Sequence, residues 1–290
     1  MSFKAKLTSG ERVVLAEMDT PKGVDISNMV SHTRFLKSRV DAVVIPDLDN
    51  GVMHLNALAG GAILRREGME PVIHVYGRDK NRMALQGDLL AAHILGIHNL
   101  LVVQGEEMVN GDHPDAKIVD DVDELGILNM IQTLMAGTDL AGFDLHGKPE
   151  FTTGVAAPPI VDENQLKQAV TDAGKKVAAG AGYVMLQPVF DLDFYKQVIN
   201  AFSSLNVPVI ASVFLLKNVG MARYISINDP ASRLSEQVIR RIRQAKDRDT
   251  ECVAIAGEMI RSLKEISQGI KISALGWEDR LPAILDSAGL

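Results

Sequence analysis

The apolar positions of the chain fall into two textures. Short unbroken runs alternate with longer stretches in which apolar residues recur every three or four positions. Runs rich in β-branched residues predict strands, and the longer spacing predicts helices. Eight runs read as strands: Arg12–Met18, Asp41–Pro46, Pro71–Tyr76, Asn99–Gln104, Phe151–Val155, Tyr183–Gln187, Pro208–Val213 and Ile270–Ala274. Helix-period segments follow over Asp25–Ser38, Met53–Glu67, Asn81–Leu95, Val122–Met135, Asn164–Ala179 and Leu192–Phe202. After the seventh run come Lys217–Tyr224, Pro230–Lys246 and Cys252–Gln268, and Glu278–Leu285 closes the chain. Unbroken apolar strands are covered on both faces, as in a parallel sheet. Eight β-then-α units in 290 residues predict an α/β fold, a (β/α)₈ TIM barrel forming a single domain over residues 1–290. An open doubly wound sheet uses the same alternation and is the competing architecture, although no Gly-x-Gly-x-x-Gly turn follows the first strand.

Composition narrows the classes. With 30 Lys+Arg against 37 Asp+Glu the formal charge is −7, and 47% of residues are hydrophobic. That is the make-up of a globular chain without the basic patch of a nucleic-acid binder. Cys252 is the one cysteine, so the chain holds no internal disulfide and no cysteine-built zinc or iron–sulfur site. A reducing, cytoplasmic compartment is the expectation. Met1–Glu11 lacks the apolar centre of a signal peptide. No apolar run reaches the ~20 residues that cross a bilayer, so no membrane insertion is expected. No His/Cys spacing reads as a ligand set, and no metal is expected.

In such a barrel the chemistry sits at the C-terminal ends of the strands. Those positions collect Glu17, Asp47, His74, Arg78-Asp79, Gln104-Gly105-Glu106 and Gln187. Glu17 interrupts an apolar strand. It reads either as a carboxylate paired with a nearby Lys or Arg, or as a general acid whose pKa is raised by burial. Gly105 would let a ligand approach the backbone next to Glu106, which otherwise reads as a solvated loop carboxylate. Gln187 both donates and accepts, which suits an amide-like heterocycle edge or, equally, a bonded rim position. His74 lies among apolar residues, the usual setting of a satisfied core histidine. Lys175 and Lys176 complement a helix C-terminus or meet a phosphate. The polar loop from Glu107 to Asp121 is long enough to suggest a functional segment.

Several segments, in order and spacing, resemble one family. Arg78-Asp-Lys-Asn-Arg-Met-Ala-Leu-Gln-Gly-Asp-Leu-Leu90 with Leu95-Gly-Ile-His-Asn99 is similar to the R-D-R-N-R-x-A-L-Q-x-D-L-L and L-G-I-x-N segments of methylenetetrahydrofolate reductases. Gly111-Asp-His-Pro-Asp-Ala-Lys117, Ala179-Gly-Ala181 with Gln187-Pro-Val-Phe-Asp191, and Glu17 with Pro21-Lys-Gly23 resemble further segments of that family, and the short bacterial, acetogen-type members most. The resemblance implies a flavoprotein barrel that reduces 5,10-methylenetetrahydrofolate to 5-methyltetrahydrofolate. It implies Glu17 as the general acid at the folate N10, and Glu106, in place of an aspartate, as a second catalytic carboxylate that also contacts the pterin. It implies Gln187 as a pterin ligand. His74, Gln104, Gly105, Ala157 and Lys176 fall at positions that touch the flavin or its phosphates.

The sequence also departs from the family's pattern. Pro46 stands where a threonine meets the flavin, Gln104 where an arginine is common, and Pro158 where an aromatic covers the ring. No phenylalanine for a folded nicotinamide matches between Lys217 and Met221. The implied cofactor is therefore FAD with FMN as the alternative. The implied electron donor is NADH or a partner subunit, in a homo- or hetero-oligomer. Alternatives are a flavin-free folate reductase and a non-catalytic subunit that docks on a methyltransferase. A Schiff-base aldolase would need a lysine where Gln187 stands.

Overall fold

The computed structural model describes residues 1–290. Its eight strands are β1 (Val13–Glu17), β2 (Ala42–Ile45), β3 (Pro71–Val75), β4 (Asn99–Val102), β5 (Thr152–Ala156), β6 (Tyr183–Met185), β7 (Val209–Phe214) and β8 (Gly269–Ser273). They pair in parallel in chain order, and β8 closes on β1, which removes the open-sheet alternative. Helices α2 (Ser27–Leu36), α3 (Ala57–Arg66), α4 (Arg82–Ile94), α5 (Glu124–Ala136), α6 (Glu163–Ala178) and α7 (Leu192–Ser203) follow the first six strands. After β7 come α8 (Val219–Asn228), α9 (Glu236–Gln244) and α10 (Arg248–Leu263), and α11 (Leu281–Ala288) ends the barrel. No helix is long and apolar enough to cross a membrane.

Side-chain caps set many boundaries where periodicity alone leaves them loose. Asn56 accepts from the Ala59 amide and starts α3 later than the apolar pattern suggests. Asp247 caps α10 at Asp249 and Thr250, so that helix begins before Cys252. The segment around 230 is a single 3₁₀ turn, Pro230–Ser232, between α8 and α9. An element without a counterpart in the periodic reading is α1 (Phe3–Ser9), too short for a clear period.

Alternation along the strands separates two apolar clusters. Sixty buried residues, among them Val43, Ile73, Leu100, Val184, Ile270 and Ile272, lie between sheet and helices. Thirteen fill the inside of the barrel, including Val13, Leu15, Val44, Val72, Tyr76, Leu101, Tyr183 and Met185. Phe3 of α1 belongs to the inner set and meets Tyr183 edge to face at 5.6 Å, so α1 plugs the N-terminal end. Gly154 makes room there, because any Cβ on β5 at that point would overlap the Tyr183 ring. Inward strand positions near the other end carry polar groups instead: Glu17 on β1, His74 on β3, Ser212 on β7, and Lys271 and Ser273 on β8.

Candidate active site

At the seam where the barrel closes, Glu17 and Lys271 point into the interior from neighbouring strands. The Lys271 ammonium donates to Glu17 Oε2 at 2.6 Å, and both side chains are largely buried (14% and 12% exposed). Burial alone would push the Glu17 carboxyl up. The Lys271 charge and its hydrogen bond, a bond from Ser273 and the His74 charge outweigh that and hold it below the ordinary carboxylate value. A general acid with a raised pKa is thus not what stands here. The paired-carboxylate alternative describes Glu17, with its partner on β8.

Across the mouth, His74 Nδ1 lies 3.1 Å from both oxygens of Asp49, in the 3₁₀ turn Leu48–Asn50 after β2. Burial alone lowers the imidazole's pKa, but the charge and hydrogen bond of Asp49, helped by Glu17, raise it overall. Asp49, pushed up by burial, is pulled down further by His74 and ends below its ordinary value. His74 is therefore a satisfied histidine whose partner faces the site.

Arg78 ties the loops on this side together. Its guanidinium donates to the carbonyls of Leu48 (2.7 Å), Asp49 (3.0 Å) and Glu106 (2.5 Å) while pairing with Asp79 at 2.6 Å. The Glu106 amide donates to the Asp49 carbonyl at 2.7 Å. Gly111 and Gly51 touch so closely that a Cβ at 111 would overlap the Gly51 carbonyl oxygen. Asp112 accepts from the Met53 amide at 3.0 Å and pairs with Lys22. The β2 and β4 loops are thereby stitched into one layer. Within it the Glu106 carboxyl is exposed; partial burial and the Asp49 charge push its pKa up, with Arg78 opposing. Asp19, just past β1, is also raised, by burial and by the charges of Glu17 and Glu278.

The β5–β7 side is open. Gln187 lies two residues beyond β6, exposed, and its amide donates to the Ala157 carbonyl at 3.3 Å. Gln104 is exposed beyond β4, and Phe214 is half-buried at the end of β7. Gly105 abuts the Tyr76 ring and the Arg78 side chain, so loop packing alone accounts for a glycine there, without the ligand approach expected from sequence. Lys176 sits in the last turn of α6 and pairs with Glu124 at the start of α5 at 2.7 Å.

The structure thus gathers Glu17, His74 and Glu106 around one mouth, with Gln187 and Ala157 bonded on its far rim and Lys176 out between helices. Lys271, Asp49 and Arg78 complete the arrangement. Lys271 carries a signal in the sequence, a charge between Ile270 and Ile272, but only strand pairing puts it beside Glu17. Asp49 carries none, because it lies in a turn. A groove of about 860 Å³ opens at the N-terminal end of the barrel, but Lys4 is its one charged lining residue. The convergent charges mark the C-terminal mouth instead.

The donor set suits a planar heterocycle such as a flavin ring. Gln104 and Gln187 offer exposed amides, and the His74 imidazole stands on an inward strand position.

The methylenetetrahydrofolate reductase family model matches the chain over residues 2–289. No curated protein matches the chain.

Proposed function

This chain belongs to the methylenetetrahydrofolate reductase family, and from that premise we propose that it reduces 5,10-methylenetetrahydrofolate to 5-methyltetrahydrofolate at the C-terminal mouth of its barrel. The observation that carries this is a carboxylate, Glu17, held inside the mouth against Lys271 with His74 nearby. On this reading Glu17 faces N10 of the folate and passes the proton that opens the five-membered ring. The carbon left behind is an iminium cation. Glu106 and Asp49 face it with fixed negative charge, so little reorganisation is needed as its charge develops. Gln187 pairs with the pterin amide edge. His74, Gln104, Gly105 and Ala157 border the flavin ring, and Lys176 serves its phosphates. A flavin, when bound, supplies the hydride. FAD is the family's general cofactor, FMN the alternative, and the electrons come from a nicotinamide or from a partner subunit.

One observation favours a second reading, a flavin-free folate reductase. Four basic side chains on the loops and helices around the mouth are committed to carboxylates: Lys22 to Asp112, Lys80 to Asp88, Arg82 to Asp121 and Lys176 to Glu124. The visible spectrum of the purified protein, with release and identification of any chromophore, separates the two. Near-stoichiometric FAD or FMN is the expected result. A colourless protein that neither flavin reconstitutes, yet that still reduces the folate, replaces the first reading with the second. A colourless protein that binds folate without turnover points to the docking subunit.

A further inference from the structure

The β5 and β6 loops leave the rim open, yet they are tied together at their outer ends, where they enter α6 and α7. The tie is Arg233, directly after the 3₁₀ turn Pro230–Ser232. Its guanidinium donates to the Val161 carbonyl at 2.7 Å, stands 3.7 Å from Asp191 Oδ2, and stacks on the Phe194 ring 3.5 Å from its centroid. Beside it the Phe190 amide donates to the Ser232 carbonyl at 2.7 Å. One side chain thus reaches the β5 loop, the β6 loop and the first turn of α7. The arrangement has a local cost. Arg233 has a left-handed backbone (φ +49°), which a residue with a side chain adopts only against steric resistance, and its Nε is buried without a hydrogen-bond partner. Such strain persists where the surroundings impose it, and it gathers at sites that bind or react.

The two spans that Arg233 holds run the same distance back to the site. Ala157 lies four residues before Val161, with Pro158 and Pro159 between them. Gln187 lies four residues before Asp191, with Pro188 between them. Each proline fixes its φ, so both spans are stiff. At their near ends the Gln187 amide donates to the Ala157 carbonyl at 3.3 Å, a bond too long to hold the side chain by itself. We infer that Arg233 is a positioning residue for the folate: by fixing both loops it sets where Gln187 stands, and so where the pterin edge is met. This rests on the folate-reductase reading. Arg233 acts through Gln187 and makes no contact with the folate of its own.

The test is a double-variant cycle of Arg233→Met and Gln187→Ala. It is read by calorimetric titration with 5-methyltetrahydrofolate, which needs no turnover, and by kcat and KM for methylenetetrahydrofolate. Methionine keeps an apolar chain over Phe194 and removes the donors. Arg233→Met alone should weaken folate binding and raise KM about three- to tenfold, the worth of one hydrogen bond, with a smaller change in kcat. In the Gln187→Ala background the same substitution should add nothing beyond about twofold, because the residue it acts through is gone. The melting temperature should fall equally in both backgrounds, which separates loss of the tie from loss of the folate contact. Arg233→Lys keeps a charge beside Asp191 without the forked reach. Its KM should lie between those of wild type and Arg233→Met, and the cycle is run with it if Arg233→Met does not fold. Wild-type affinity and KM in the single variant, or effects that multiply in the double variant, overturn the inference and leave Arg233 a structural tie. A wild type that neither binds nor reduces folate with any donor overturns the functional reading, and the inference goes with it. An active wild type with multiplying effects overturns the inference alone.

Discussion

The two sides of the barrel mouth are built on opposite plans. From β2 to β4 the loops are bonded to one another: one buried guanidinium holds three carbonyls, two glycines touch, and Asp49 engages His74. From β5 to β7 the rim is open, with exposed Gln187 making one bond of 3.3 Å to Ala157. Glu17 and Lys271 stand at the closure seam between them. A rigid side that fixes carboxylates and an open side that offers amides divide the labour that the proposed reaction asks of the site, orienting charge and admitting a flat substrate. Charges placed in advance stabilise a developing cation without reorganising, whereas an entry side has to stay uncluttered.

The comparison can be broken most sharply at the seam. Glu17→Gln keeps the shape of the side chain and removes its charge, so folate turnover should drop by about 10²–10⁴-fold while any flavin stays bound. Steady-state rates and the visible spectrum, read on the same sample, check both halves of that expectation.

Next in size is the clamp. Arg78→Met leaves the Leu48, Asp49 and Glu106 carbonyls and the Asp79 carboxylate without their donor. Removing one partner of a buried ion pair costs about 3–5 kcal/mol, and the melting temperature should fall on the order of 10 °C. A melting temperature within a degree or two of wild type would mean that the two loops do not depend on the clamp. Gly111→Ala attacks the same layer more gently. Its Cβ overlaps the Gly51 carbonyl, so the loops must part, at a cost of about 1–3 kcal/mol. Hydrogen exchange should accelerate over residues 48–55 and 106–112 and stay unchanged around Gln187.

The smallest effects are in pH dependence, and the two ion pairs give opposite signs. His74 has a raised folded value, so its contribution is complete below the ordinary histidine value and is lost as pH rises through the folded one. Glu17 has a lowered folded value, so its contribution is present above the ordinary carboxylate value and is lost as pH falls through the folded one. Denaturation midpoints across pH should therefore show Asp49→Asn flattening the decline on the neutral side. Glu17→Gln should flatten the rise on the acid side. The same flattening in both variants would show that the two pairs do not titrate separately.

Much of the fold was legible because strand and helix periods differ and repeat eight times. Glu17 was legible as a candidate too, since a charge that interrupts an apolar run stands out. Its partner was not. Lys271 lies 254 positions away and meets Glu17 only because β8 closes on β1. Of the two readings of Glu17, the raised pKa came from burial without the partner, and the pair with Lys271 reverses its sign and bears out the other. Asp49 and the Arg78 clamp stayed hidden because turns have no period and carbonyl acceptors leave no mark in a sequence. Helix α1 escaped for a similar reason: in a seven-residue segment, Phe3 and Leu7 look like incidental apolar positions until they are seen plugging the barrel.

The account's central claim is that the Glu17 mouth converts methylenetetrahydrofolate. The most direct measurement is anaerobic single-turnover mixing of the chemically reduced protein with methylenetetrahydrofolate, in wild type and Glu17→Gln, with methyltetrahydrofolate quantified. The expected result is one methyltetrahydrofolate per flavin in the wild type and almost none in the variant on the same timescale. Equal yields from the two proteins, or no product from a wild type that holds its flavin, would contradict the account.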